Sequence, residues 1–325
     1  MQQFSWARAC AETFASDGEL QVVVVGEPRP TAIAPLVRRG RLGRLELLGV
    51  RELHEPMDFL YADVFALEQL ARALAGLGSP IFLRRIPADS PVVSAMRNAY
   101  DGRGIVICRP VGGCPWIPLD GSWTEPERHL NSSRRSALRR AERIAQTMGE
   151  VSYEVLSPNP LEVKSLLAET FRIEAASWKG RAGSALLCDA ARGFFYLRYG
   201  AAACQKGILR LCFMRIGGRA AGMQIAVETG QSFWLLKIGY VDEFARCSPG
   251  MLLLRETIRH AAARGLRSYE FLGAVEPWTR VWTERVRECV SLRAYHHTMQ
   301  GSAALVVDVA EAGVRRLVSK NGKSG

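Results

Sequence analysis

From Leu20 onward the chain sets short apolar runs between Gly and Pro steps, and LQVVVVG, TAIAPLVRR and RLELLG read as strands of an antiparallel meander. The stretch VFALEQLARALAGLG changes to the helical period, SPIFLRRIP returns to strand, residues 89–100 read as helix and GIVICRP as strand. RPVGGCPWIPLDGSW, rich in Pro and Gly, reads as a linker ahead of a basic helix over roughly 125–148. The second half opens with the strand VSYEVL and the helix LEVKSLLAETFRIEAASWKG, which Gly180 is expected to close as a C-cap. A helix over 190–206 precedes the strands ILRLCFMRIGG, RAAGMQIAVETG and QSFWLLKIGY, joined by GG and TGQ steps of hairpin chemistry. The helix MLLLRETIRHAAARGL, the strand SYEFLGA, a short helix around WTRVWTERV and a strand near CVSLRAYHH complete the pattern.

The segments FLYADVFALEQLARALAGLGSPIFLRRIP and KIGYVDEFARCSPGMLLLRETIRHAAARGLRSYEFLGA share the order strand, Tyr and Asp, helix, Gly, strand, which suggests a duplicated fold. Only the second copy carries Ser-Pro-Gly. At 325 residues the chain is long for one domain. The expected division is an N-terminal lobe over 1–124, a second lobe over 125–300, and a helix and tail over 301–325.

No apolar run reaches the roughly 18 residues a membrane span needs, and Arg8 and Glu12 interrupt the start where a signal peptide has an apolar core. A cytoplasmic protein, or one peripheral to the inner membrane face, is expected. The eight cysteines include no C-x-x-C pair, and Cys10, Cys188, Cys204 and Cys212 fall in apolar or helical runs that suggest buried thiols. The five histidines show no H-x-x-x-H spacing, so no metal site is expected. The net charge of +11 favours anionic partners without choosing among them.

The turn CSPG before the apolar helix is the most informative local feature. A helix start exposes backbone N–H groups and partial positive charge, which suit phosphate. Ser248 is a candidate N-cap, Pro249 suits the first helical position, and Gly250 has no Cβ to keep a ligand from the backbone. On the tripeptide alone a plain helix start is the favoured reading, and it is neither a P-loop nor G-x-G-x-x-G.

The texts RRSALRRAERIAQTMGEVSYEVL, FRIEAASWKGRAG, WLLKIGYVDEFARCSPGMLLL and YEFLGAVEPWTRVW, spread over roughly 125–297, resemble the BioF2-like acyltransferases. These are grouped with CelD and FemAB-type proteins in the GCN5-related N-acetyltransferase (GNAT) superfamily. The resemblance implies an α/β (α+β) fold: a mixed, largely antiparallel sheet flanked by helices, in two tandem GNAT-like lobes of which the N-terminal one is degenerate. It places the pyrophosphate of acyl-CoA on Arg246, Cys247, Ser248, Pro249, Gly250 and Met251. The acyl carbonyl is expected against WLLKIGY, where splayed strands expose N–H groups.

Candidate bases are Glu174, Asp242, Glu270 and, more remotely, Glu276. Asp242 follows the strand beside the turn, and also reads as an ordinary turn aspartate. Glu270 stands in a central strand where related sequences often have Asp. Lys237 interrupts an apolar strand as a candidate anion or oxyanion ligand, with a solvent-facing lysine as the alternative, and Tyr240 is a candidate proton donor to a leaving thiolate. Trp178 and Lys179 of the WKG motif, and Trp278 where the family commonly has Tyr, are candidate acceptor contacts, with packing and capping roles as the alternative.

The function implied is transfer of an acyl group from acyl-CoA to an amine on a sugar, lipid or peptide, in cell-envelope polysaccharide or lipid biosynthesis. A FemAB-like transfer from aminoacyl-tRNA and a non-catalytic GNAT-fold scaffold are the alternatives. The helix SSRRSALRRAERI places Arg135, Arg139 and Arg143 four apart on one face. This is either a solvated face or a docking site for an acidic carrier protein, an anionic membrane, tRNA or the adenosine 3′-phosphate of CoA.

Overall fold

The computed structural model describes residues 3–15 and 18–321, the side chains of 311–321 excepted. In chain order its first elements are α1 (Phe4–Phe14), β1 (Glu19–Val25), β2 (Ala32–Arg39), β3 (Arg44–Leu47), α2 (Val50–Leu53), β4 (Leu60–Tyr61), α3 (Val64–Gly76), β5 (Ile81–Pro87), α4 (Val92–Tyr100) and β6 (Gly104–Pro118). There follow α5 (Ser132–Met148), β7 (Val151–Leu156), α6 (Val163–Ala175), α7 (Trp178–Arg181), α8 (Ala190–Gln205), β8 (Leu209–Ile216), β9 (Arg219–Thr229) and β10 (Ser232–Tyr240). The chain continues through α9 (Pro249–Ala263), β11 (Ser268–Glu270), β12 (Val286–His296) and α10 (Met299–Asn321).

By internal contacts the chain forms two units, one over Gly113–Arg287 and one made of the residues before Gly113 together with those from Glu288 onward. The sequence placed boundaries at 124 and 300, and its C-terminal helix and tail at 301–325. Residues up to Asn321 of that stretch are helix, and 322–325 lie outside the described residues.

In the unit made of the residues before Gly113 and those from Glu288 onward, β1 and β3 pair antiparallel with β2, β3 runs parallel to β5, and β5 pairs antiparallel with β12. Parallel neighbours need a crossover, which α2, β4 and α3 provide. Leu67, Leu70 and Leu74 of α3 recur at helical spacing and are fully buried, and Asp63 caps this helix by accepting from the Ala66 N–H.

In the Gly113–Arg287 unit, β7, β8, β9 and β10 pair antiparallel in sequence order. The parallel step from β10 to β11 carries α9, and β11 pairs antiparallel with the end of β6. Helices α5 and α9 bury one side against Cys212, Met214, Phe233 and Leu235, while α6 and α8 pack as a pair and α6 lies along β9 and β10. Burying each leucine of the Leu252–Leu254 run contributes about 2 kcal/mol.

Both units therefore carry an antiparallel run, a helix-bridged parallel step and a further antiparallel strand. The sequence comparison matched β4 to β10, but β3 holds the corresponding place, because β4 pairs only with β2.

Three local expectations change. RPVGGCPWIP is the end of the long strand β6 rather than a linker, and Gly113 is needed where a Cβ would meet the Arg287 carbonyl at 2.3 Å. Gly180 is not a C-cap: α6 ends at Ala175, Ser177 caps α7 by accepting from the Lys179 N–H, and a Cβ on Gly180 would lie 1.9 Å from the Ala175 oxygen. Cys188 is exposed in the loop before α8 and not buried, whereas Cys10, Cys204 and Cys212 are buried.

Candidate active site

Strand β10 carries the irregularity on which the site depends. Leu236 has no counterpart on β9, since the register passes from Leu235 paired with Ala226 directly to Lys237 paired with Ile225. One extra residue reverses which face each later side chain takes. Ile238 and Tyr240 thereby face α9, where their side chains lie nearest the position a Gly250 Cβ would take, at 3.6 and 3.9 Å. Gly239 faces α6, and a Cβ there would meet the Glu174 Cα at 3.1 Å. Lys237 joins that second face, its ammonium 5.4 Å from the ring centre of Tyr196 on α8.

Strands β10 and β11 pair only from Ser232 with Ser268 to Trp234 with Glu270. Beyond that point β11 ends, and left-handed backbone at Leu272 and Gly273 follows. The Val241 N–H bonds the Ala221 oxygen of β9, so by strand alternation Ile238 and Tyr240 turn both their N–H and C=O groups towards the edge that β11 has left. Lys179 confirms the direction, since its ammonium donates to the Ile238 oxygen at 2.6 Å. The expected splay is thus present, with two backbone N–H groups on its open side.

After β10 a 3₁₀ turn, Asp242–Cys247, leads to α9. Cys247 and Pro249 anchor this turn in the core, and burial pushes the Cys247 thiol above its ordinary range. Ser248 between them is left-handed, with φ of 48°, and its side chain makes no cap bond, so the expected N-cap is absent. Its carbonyl instead accepts the N–H groups of Met251 and Leu252. Pro249 has no N–H, so among the described residues the first turn of α9 leaves the Gly250 N–H and the Ser248 hydroxyl without partners. Arg246 is exposed.

The open edge and the turn meet in one cavity of about 510 Å³. Ile238, Gly239, Tyr240, Ser248, Gly250 and Met251 line it from β10 and the turn, and Ser177, Trp178, Lys179, Ala245, Glu276 and Trp278 complete it. Trp178 is half exposed, 52%, at the start of α7. The Trp278 indole donates to Glu276 at 2.6 Å, fixing one oxygen of an exposed carboxylate at the cavity.

The remaining candidates lie outside it. Glu174 is fully buried: it accepts from Lys179 at 3.2 Å and from the Leu186 N–H at 2.9 Å. Asp242 pairs with Arg181. Glu270 is buried on β11, where Ser268 at 2.7 Å and the Arg287 guanidinium at 2.6 to 3.0 Å hold both its oxygens. Among the carboxylates considered, the cavity brings in Glu276, which the sequence reading had placed most remotely. Among the described residues no group of three or more His, Cys, Asp or Glu is placed to hold a metal ion, and no helix is long and apolar enough to cross a membrane.

Antiparallel strands, a splayed parallel pair and a turn into a helix make up this unit, and residues 132–280 carry a GNAT-type domain, matching the family model described as an acetyltransferase (GNAT) domain. Three solved structures share the fold over nearly the full chain. The C-terminal domain of a protein assigned as a lysylphosphatidylglycerol synthetase from Agrobacterium fabrum is 11% identical with a TM-score of 0.59, covering 94% of this chain and 95% of that one. FemX is 13% identical with a TM-score of 0.56, covering 91% of each. L-PGS from Bacillus licheniformis is 9% identical with a TM-score of 0.51, covering 96% of this chain and 97% of that one. No curated protein sequence matches significantly.

Proposed function

We propose that the chain transfers an acyl group from a pantetheine thioester, with acyl-CoA as the donor to test, to a primary amine on a sugar, lipid or peptide of the cell envelope. The observation that carries this reading is that the open edge of β10 and the turn before α9 line one cavity. In this reading the thioester lies along β10, and the N–H of Ile238 or Tyr240 receives the carbonyl oxygen as it gains negative charge. A phosphate of the donor rests at the Gly250 N–H and the Ser248 hydroxyl.

The amine nitrogen attacks the thioester carbon, a C–N bond forms and the C–S bond breaks. Glu276 takes the proton lost by the amine, and the Tyr240 hydroxyl supplies one to the departing thiolate. Trp178 and Trp278 wall the acceptor end, while Lys179 acts as a positioning residue that fixes the Ile238 carbonyl. Holding the two reactants side by side is the larger part of such catalysis.

The likeness to the lysylphosphatidylglycerol synthetase domain, whose product carries a lysyl group, supports a second reading, with an aminoacyl donor in the same cavity. Acyl-CoA is expected to raise the unfolding temperature of the wild type, and Gly250→Trp, which fills the turn without breaking the helix, to abolish that rise. A wild type that no acyl-CoA stabilises overturns the thioester reading.

A further inference from the structure

Resting on the thioester reading above, the arrangement of α5 indicates what presents the donor. We propose that an acidic carrier protein docks on the arginine stripe of α5 and inserts its phosphopantetheine thioester into the cavity. Helix α5 carries Arg134, Arg135, Arg139, Arg140 and Arg143 against a single carboxylate, Glu142. That carboxylate is already held by the Arg255 guanidinium at 3.0 and 2.9 Å. Arg134 and Arg135 bond the Val281 and Leu130 oxygens. Arg139, Arg140 and Arg143 are exposed and, among the described residues, have no ion-pair or hydrogen-bond partner.

Such a stripe opposes the fold that carries it. Arg135, Arg139 and Arg143 repel one another at helical i,i+4 spacing, and arginines near the helix start oppose the helix dipole. With Glu142 held by Arg255, the exposed arginines have no carboxylate partner among the described residues, and the charge they present is complementary to an acidic partner. Helix α5 also packs, through its other face, against the turn Asp242–Cys247 that leads into α9 and carries the exposed Arg246, so the helix that bears the stripe belongs to the same packed group of elements as the cavity.

The turn itself narrows the ligand. With the Met251 and Leu252 N–H groups taken by the Ser248 oxygen, the Gly250 N–H and Ser248 hydroxyl suit one phosphodiester better than a pyrophosphate. The row from Arg135 to Arg143 spans about 12 Å, two turns of a facing acidic helix. Between the arginines the exposed residues are Ser136 and Ala137, which give neither the aromatic stacking of a nucleic-acid site nor the apolar face of a membrane helix.

The test uses the full chain with a bacterial acyl carrier protein in acetyl, octanoyl and palmitoyl forms, the matching acyl-CoAs, and an RNA hairpin. Binding is read by fluorescence anisotropy and acyl-CoA protection by thermal unfolding. At least one acylated carrier is expected to bind, more weakly as salt rises. Arg139→Glu with Arg143→Glu is expected to weaken that binding about tenfold, with protection by acyl-CoA unchanged and the helical circular dichroism retained. Protection by acyl-CoA with no carrier binding overturns this proposal and leaves the thioester reading standing. So does an equal loss of both donors in the double variant, or binding of the RNA in place of the carrier. Absence of both carrier binding and acyl-CoA protection overturns the thioester reading itself.

Discussion

Lys179→Met is expected to be among the most damaging single changes near the cavity, although it removes only one ammonium. At the 3.2 Å separation between Lys179 and Glu174, the Coulomb attraction at an effective dielectric of about 20 is about 5 kcal/mol. Desolvation offsets much of it while the pair is intact, but removing Lys179 leaves the Glu174 carboxylate, 0% exposed, with the backbone N–H of Leu186 as the one hydrogen-bond donor to it among the described residues. An orphaned buried charge of this kind costs about 3–5 kcal/mol, which lowers the unfolding temperature by roughly 10 °C. The Ile238 oxygen loses its donor in the same step, so acyl-CoA protection should weaken as well. Urea unfolding of Lys179→Met, Glu174→Gln and the double variant measures the effect. The double variant should recover about 1 kcal/mol or more over the sum of the singles. A Lys179→Met variant within about 0.5 kcal/mol of wild type, with strictly additive singles, would refute the argument that this pair is coupled in the fold.

Two further changes test other parts of the molecule. The hydrogen bond from Arg255 holds the Glu142 carboxyl below its usual value of 4.5, against partial burial. A depressed carboxylate stabilises the fold above the unfolded pKa and loses that contribution as pH falls through the folded value. Glu142→Gln should therefore be less stable than wild type at neutral pH, with the gap closing below pH 4.5 in urea melts; a gap that persists unchanged into strong acid contradicts the assignment. Glu276→Gln should lower kcat by about 10²- to 10⁴-fold while leaving KM for the donor unchanged in steady-state assays, and an unaltered kcat moves the proton-accepting role elsewhere.

Much of the fold was legible because it rests on periodicity. The strands β7 to β10 and the helices α8 and α9 lie where alternation and helical spacing put them, and the hairpin steps GG and TGQ fall at turns. Strand β6 was not legible past Pro110, since Gly112, Gly113 and Pro115 read as loop chemistry, while Gly113 is needed for the close approach of the Arg287 backbone. The helix break after Ala175 was hidden for a related reason: WKG is helical text, and only the packing of Gly180 against the Ala175 oxygen explains it. At the candidate site, chemistry and resemblance singled out the turn and Tyr240, and Tyr240, Ser248, Gly250 and Met251 do line one cavity. The placements of Lys237 and Glu270 were not legible, because the partners that hold Glu270, Ser268 and Arg287, are a matter of tertiary pairing, and no side-chain pattern marks the bulge that turns Lys237.

The unpaired Leu236 gives β10 an unusual sensitivity to chain length. Removing a single residue between Leu235 and Lys237 would exchange the two faces of the strand's second half, bringing an ammonium group to the side now held by Ile238 and Tyr240 and sending the tyrosine hydroxyl towards α6. Substitutions in this strand alter the cavity by degrees, whereas an insertion or deletion replaces its chemistry outright. When the chain is compared with other proteins of this fold, the length of this strand is therefore as informative about the reaction as the identity of any residue in it.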